Sequence, residues 1–385
     1  MSSAGQHARL RPVTSELVEA ALAEALSGGS SIAPLPDMGV ERTNLLAALQ
    51  LGKPVLEPDA AVVIGTSGST GRPKAAVLSA AAIRTAVSAA HDRLGGPGDW
   101  ALATPPYYIA GLMVLARGIV AHTAVHLVGA DLAGLPTAVA AMQPRRYLAV
   151  VPTQLATALS QPHLTEALAA LDAVLVGGSA VEPSLRRRAE RSKITLIISY
   201  GMTETCGGCV YDGMPLDGVS IELEPETNRI LITSSTIFSG YRLRPDLTKA
   251  WLKDGTLITQ DRGEWTAEGR LRVQGRLDEE VISGGVNVDL AALEQACRSW
   301  PALAGADLAV IALPDLHWGA RIVAVTDGRG SIEDLRQFLA QTLPRHSAPR
   351  QLVHLDQLPR TSSGKIDHLE LHAQLRRRGL AGSLR

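Results

Sequence analysis

A chain of 385 residues with 46% hydrophobic content is too long for one ordinary core and apolar enough to bury two, so a multidomain globular protein is expected. Its formal net charge of -1 offers no basic field to nucleic acid or an anionic membrane surface, which leaves small molecules as the expected partners. Three cysteines, an odd number, argue against a disulfide framework. The start, MSSAGQHARLRPV, lacks an apolar secretory core, and the most apolar stretch, 107–121, is interrupted by Arg117 before it could span a bilayer. A cytoplasmic protein without a membrane segment is expected.

After an alanine-rich opening of helical texture, β-branched runs at 61 (AVVI), 147 (YLAVV), 173 (AVLV) and 194 (ITLII) alternate with helical patterns. Such alternation predicts an α/β fold, a mostly parallel sheet with helices on both faces. A helix over 79–94 begins at an N-cap serine and is expected to follow directly on a strand and a glycine-rich loop. From Val219 the texture changes to short strands with turns (VSIELEPE, RILITS, RLRVQGR), a small β-rich subdomain. A boundary is expected near 275–278. Beyond it a helix over 289–300, strands DLAVIALP and ARIVAVTD, a helix over 331–343 and a closing basic helix predict a compact α+β tail domain.

Residues 65–74 read GTSGSTGRPK, with three glycines, four hydroxyl side chains and one lysine after a buried-looking strand. Backbone N–H groups, hydroxyls and an ammonium can all point at a polyphosphate. A Walker A loop needs its lysine directly after the last glycine; here Gly71 is followed by Arg72 and Pro73 before Lys74, which disfavours an ordinary P-loop NTPase. A flexible Gly/Ser surface linker is the alternative reading of this stretch alone.

Further elements follow in order: VGGSA at 176, YGMTET at 200, TQD at 259, GRLDEEVISGG at 275 and PRTSSGKID at 359. In this order and spacing they resemble the adenylate-forming superfamily of acyl-CoA synthetases, carrier-protein adenylation domains and luciferases, from about residue 55 to the C-terminus. The resemblance implies a large N-terminal domain, residues 1–277, of mostly parallel sheets plus the β-rich subdomain, and a small mobile C-terminal domain, residues 278–385. It also implies ATP, Mg²⁺ and coenzyme A as the small molecules handled beside a carboxylic acid, and leaves a homodimer open.

Adenylation needs a carboxylate to attack the α-phosphate of ATP while pyrophosphate leaves, so phosphate charge has to be offset in flight. By resemblance, Thr66, Ser67, Gly68, Ser69, Thr70, Gly71 and Lys74 grip the β- and γ-phosphates. Thr203 bonds the α-phosphate and Glu204 holds Mg²⁺, a hard ion suited to carboxylate oxygens. Gly177, Gly178 and Ser179 pass close to the adenine, on which Tyr200 stacks, with Gly201 beside it. Asp261 accepts the ribose hydroxyls and Arg276 lies nearby; TQD stands where the family has TGD, which puts the loop geometry at Gln260 in question. Lys365 bridges carboxylate and phosphate in the first half-reaction. Asp278 is the implied hinge about which the tail swings, withdrawing Lys365 and bringing Ser283, Gly284 and Gly285 towards the pantetheine of CoA.

Cys206 and Cys209 form CGGC, but no second pair accompanies them, and Gly207 and Gly208 are better read as small residues lining the acyl pocket. The glycine-rich loop lies nearer the start than in typical members, a short form. AAHDRLGGPGDW at 89, PPYYIAGLMVLAR at 105 and GGCVYDGMPLDGV at 207 are similar to short o-succinylbenzoate-CoA ligases of menaquinone biosynthesis. That resemblance implies that Arg117 offsets the substrate's second carboxylate; a surface arginine at a helix end is the alternative. It also places Tyr108 where the family has a histidine gating acyl or thiol entry, and tyrosine cannot serve as a neutral-pH base. Two rivals stay open: a ligase or freestanding adenylation enzyme for another acid, and a catalytically silent adenylate-binding module.

Overall fold

The computed structural model describes residues 10–380 apart from 56, 58, 67–73, 278–279, 345–346 and 361–365. Two compact units divide the chain: residues 1–222 with 231–259 and 266–271, and residues 223–230 with 260–265 and 272–385.

Two sheets of the first unit carry the α/β pattern. A seven-stranded sheet runs in the order Met214–Pro215, Gly207–Tyr211, Leu196–Met202, Ala173–Gly177, Arg146–Val150, Asp99–Leu102, Val125–Leu127. The last five of these strands are mutually parallel, and an antiparallel hairpin closes the other edge. The β-branched runs are buried because helices cover them: Leu148, Val150, Val174 and Val176 pack with Leu155, Leu168 and Leu185. Apolar runs of this kind are what a parallel sheet requires, since neither face meets water.

The other sheet runs Arg11–Thr14, Ile32–Leu35, Ala60–Thr66, Lys74–Ser79, Gly240–Tyr241. It corrects two expectations. The opening forms the strand Arg11–Thr14 before its helix Val18–Leu26. The glycine-rich stretch does not lead straight into a helix: Ala60–Thr66 and Lys74–Ser79 pair antiparallel, Thr66 opposite Lys74, so it joins the arms of a hairpin. Ala75, Val77 and their neighbours form a strand because that run is flanked by partners on both sides and buried, where tertiary context overrides the helical preference of alanine. The helix Ala80–Leu94 begins only after it, with the Ser79 hydroxyl accepting from Ala82 N at 3.0 Å and Gly95 closing it at φ +87°. That N-cap is worth about 1 kcal/mol.

A third sheet orders Val219–Leu223, Arg229–Ser234, Thr256–Trp265 and Leu252–Lys253, with Leu271–Arg276 beside Thr256–Trp265. In the second unit Val286–Asp289, Glu280–Ser283, Gly319–Thr326 and Leu308–Asp315 form a sheet with Gln351–His354 parallel to Gly319–Thr326. Alternate residues face opposite ways along such strands. Val310, Ile322 and Ala324 pack against Leu293 and Leu335, of the helices Leu290–Arg298 and Ile332–Leu339. Ile311, Leu313, Val323 and Val325 pack against Leu371 and Leu375 of His368–Arg377. A helix layer on each face explains why both strands read as unbroken apolar runs. Among the described residues no helix is long and apolar enough to cross a membrane.

Candidate active site

In an open α/β sheet, ligand chemistry collects beyond the carboxyl ends of the parallel strands. Gly177 ends one such strand and pairs with Ser199 of the next; a Cβ on Gly177 would stand 3.0 Å from the Ser199 carbonyl oxygen. Gly178 turns the chain at φ +85°, and it and Ser179 are exposed. Leu196–Met202 is third in the seven-strand order, yet none of its residues, Tyr200 included, is fully buried. A central strand that stays partly accessible along its whole length offers a surface on which a flat ligand can lie.

The strand ends in a tightly held turn. Gly201 is obligatory, since a Cβ there would lie 2.1 Å from the Gly207 carbonyl oxygen. Thr203–Thr205 form a single 3₁₀ turn pinned by Thr205, a fully buried residue that sequence reasoning passed over. Its hydroxyl accepts from Met202 N at 2.9 Å and donates to the Gly207 carbonyl at 2.6 Å. Thr203 and Glu204 are thereby presented from a rigid base. The signal for Thr205 was its place in TET before a glycine pair: a buried hydroxyl there can satisfy two backbone groups at once.

Glu204 Oε1 accepts from the Tyr241 hydroxyl at 2.6 Å. The Lys74 ammonium lies 5.2 Å from the centroid of the Tyr241 ring and 5.4 Å from that of Trp251. Lys74 and Glu204, far apart in sequence, are therefore gathered at the ring face and the hydroxyl of one tyrosine. Thr66 faces Lys74 across the hairpin, while Ser67, Gly68, Ser69, Thr70 and Gly71 lie outside the described residues.

Gly207 and Gly208 lie on the neighbouring strand. A Cβ on Gly208 would come within 2.0 Å of Ser199 Oγ, and one on Gly207 would meet Met113 Cγ at 3.4 Å and Ile109 Cγ1 at 3.9 Å. The face of Gly207 thus borders the helix Ile109–Ala121, which Tyr108 caps with its ring 4.7 Å from that of Tyr107. Cys206 and Cys209 are buried and form no disulfide among the described residues, and burial pushes the Cys206 thiol up to about 12, so it carries no thiolate at neutral pH.

Arg117 lies on the same helix, one turn beyond Met113. It is not a surface arginine at a helix end: it is 4% exposed and the helix continues to Ala121. Its guanidinium carbon stands 4.6 Å over the Trp100 ring, Nη2 donates to the Tyr211 hydroxyl at 3.4 Å, and Nε is buried without a partner. Among the described residues no carboxylate pairs with it. Desolvation, and next the Arg117 charge, hold the nearby His91 down at about 4, so that imidazole stays neutral. The groups shown against this cation, the Trp100 ring, the Tyr211 hydroxyl and the His91 imidazole, are uncharged.

In the second unit, Asp261 is buried in the strand Thr256–Trp265, with Arg276 Nη1 at 3.5 Å from its Oδ1. Gln260 sits within the same strand in extended backbone, which any residue adopts, so the absence of glycine there costs nothing. Ser283 is buried, and Gly284 (φ +62°) and Gly285 (φ +82°) make a two-residue turn between Glu280–Ser283 and Val286–Asp289. Two consecutive left-handed residues suit the tightest hairpin and favour glycine. Asp278 and Lys365 lie outside the described residues.

The sequence pattern of the AMP-binding enzymes matches residues 8–231, and that of the AMP-binding enzyme C-terminal domain matches residues 292–365. A probable 2-succinylbenzoate–CoA ligase of Mycobacterium tuberculosis is 43% identical over 356 residues, 89% of this chain and 91% of that one. An indoleacetate–CoA ligase of Aromatoleum aromaticum is 31% identical over 78% of this chain and 64% of its own. The o-succinylbenzoate CoA synthetase of Bacillus subtilis, solved with its acyl-adenylate intermediate OSB-AMP, superposes with a TM-score of 0.73 over 94% of this chain and 88% of that one at 22% identity, which speaks for the fold. Family pattern and matched span agree with the 43% identity, and the chain belongs to the family of AMP-binding enzymes, the adenylate-forming ligases.

Proposed function

We propose that the chain is an o-succinylbenzoate-CoA ligase of menaquinone biosynthesis, working in the cytoplasm. The observation that carries this reading is Arg117, a buried cation facing neutral rings within the helix that borders Gly207; the 43% identity to a relative of that name supports it. Burying an unpaired charge costs several kcal/mol, and a substrate carboxylate that reaches it returns part of that cost on binding.

In the first step a carboxylate oxygen of the acid attacks the α-phosphorus of ATP, the bond to the bridging oxygen breaks, and pyrophosphate leaves. Lys74 and Thr66 are assigned to the β- and γ-phosphates with Ser67–Gly71, Thr203 to the α-phosphate, and Lys365 to the negative charge shared by the attacking and accepting oxygens. Glu204 offers the hard carboxylate oxygen that Mg²⁺ prefers, and the ion would offset phosphate charge there. Tyr200 with Gly177–Ser179 is assigned to the adenine, and Asp261 with Arg276 to the ribose. In the second step the CoA sulfur attacks the acyl carbon and AMP leaves, after the tail has turned at Asp278 and exchanged Lys365 for Ser283–Gly285. Tyr108, at the mouth of the acyl side, contributes a hydrogen-bonding tip without basic function.

The test is thioester formation with ATP, Mg²⁺ and CoA across a panel of acids. o-Succinylbenzoate is expected to exceed benzoate, indoleacetate and fatty acids by at least tenfold in kcat/KM. A monoacid at the head of the panel would move the assignment to another acid, and no adenylate from any acid would favour a silent module.

A further inference from the structure

The reading above assigns Lys74 and Glu204 but not the residue that stands between them. Tyr241 is 6% exposed and belongs to the short strand Gly240–Tyr241, opposite Ala76 of the strand that Lys74 begins. Its backbone is fixed from several sides. Tyr241 N donates to Thr248 Oγ1 at 2.9 Å, and a Cβ on Gly240 would strike the Thr248 side chain at 2.8 Å. The next residue, Arg242, is tied to the carbonyls of Leu49, Gln50, Lys53 and Pro54. The ring packs edge-on against Phe238 at 4.8 Å.

From this anchored position the side chain meets two charges. The hydroxyl donates to Glu204 Oε1, a charge-assisted bond at 2.6 Å that selects one orientation of the carboxylate. The ring face, with Trp251 as second wall, meets the Lys74 ammonium at distances where cation–π attraction operates. Among the described residues no carboxylate lies within ion-pair distance of Lys74, so the two rings hold the cation without neutralising it. A carboxylate partner would have competed with phosphate; an aromatic one leaves the full charge available.

We propose that Tyr241 is a positioning residue for adenylation: its hydroxyl sets Glu204, and its ring together with Trp251 sets Lys74. The proposal rests on the adenylating reading of the site. It separates two functions within one side chain, and the variants divide them. Tyr241→Phe keeps both rings and removes only the hydroxyl. Trp251→Leu removes one wall and leaves Glu204 bonded, and Trp251→Phe restores an aromatic face.

The experiment follows ATP–pyrophosphate exchange and, separately, Mn²⁺ binding to the full-length protein with a non-hydrolysable ATP analogue, read by electron paramagnetic resonance. Tyr241→Phe is expected to weaken Mn²⁺ at least fivefold and lower kcat at least tenfold, with KM for ATP changed less than twofold. Trp251→Leu is expected to raise KM for ATP at least fivefold and leave Mn²⁺ binding within twofold, and Trp251→Phe to recover most of that loss. If both variants shift KM, kcat and Mn²⁺ binding in the same ratio, or neither shifts them, the two side chains are packing residues and the proposal is wrong. Lys74→Ala and Glu204→Gln serve as references: if these leave exchange intact, the assignment of the site itself fails, an outcome distinct from failure of the Tyr241 role.

Discussion

Two arginines of the first unit are almost equally buried, Arg242 at 3% exposure and Arg117 at 4%, and their surroundings could hardly differ more. Arg242 spends its donors on four backbone carbonyls in the turn that follows the helix Val40–Leu49. Arg117 has one long bond to Tyr211, an aromatic face beneath it and an unpartnered Nε. A buried cation with a partner on every nitrogen is a structural clamp; one with a nitrogen left over, against neutral neighbours, is held ready for something that arrives. Burial alone does not distinguish these roles, whereas the donor inventory does.

The comparison predicts very unequal stability effects for the same substitution. Arg242→Met should cost about 3–5 kcal/mol in denaturant unfolding, because it takes the partner from one buried and three part-buried carbonyls at once. Loss of less than about 1 kcal/mol would show that the turn satisfies itself. A second effect comes from His91, held at about 4 by burial and by the Arg117 charge. The folded state binds this proton more weakly than the unfolded chain, so its stabilisation is fully present above pH 6.5 and lost as pH falls towards 4. Between pH 7 and 4 the parent should lose at most about 3 kcal/mol more than His91→Gln. Parallel acid curves for the two would mean that the imidazole is not buried neutral. The smallest effect is expected at Arg117→Met, within about 1 kcal/mol of the parent or slightly stabilising, since a buried charge without an ion partner gives little back to the fold.

What could be read from the sequence was what lies close together in it. YGMTET places Thr203 and Glu204 within one turn, and the turn glycines of ISGG sit side by side, so residue type and spacing carried the chemistry. The parallel strands were legible because burial on both faces leaves unbroken apolar runs. The hairpin arm Lys74–Ser79 was not, because KAAVLS runs into the alanines of the following helix and only its pairing partners reveal it as a strand. Tyr241 and Trp251 escaped for a related reason: they reach Lys74 through an antiparallel pairing that spans most of the first unit's sequence. Arg117 was noticed as an interruption of an apolar stretch, but its burial depends on Trp100 and Tyr211, from two separate strands, which no local pattern announces.

The central claim is that the Arg117 guanidinium is kept for the far carboxylate of the acid, and the KM of Arg117→Ala for o-succinylbenzoate, set beside that for a monoacid analogue lacking that carboxylate, tests it most directly. A desolvated charge-assisted contact is worth roughly 1.5–3 kcal/mol, against about 0–1 for an exposed pair. The account predicts a rise of at least tenfold for the diacid, about 1.4 kcal/mol, little change for the monoacid or for ATP, and partial recovery in Arg117→Lys, which keeps the charge but not the planar fork. Equal losses for diacid and monoacid, or no loss for either, would contradict it and make Arg117 a second structural arginine.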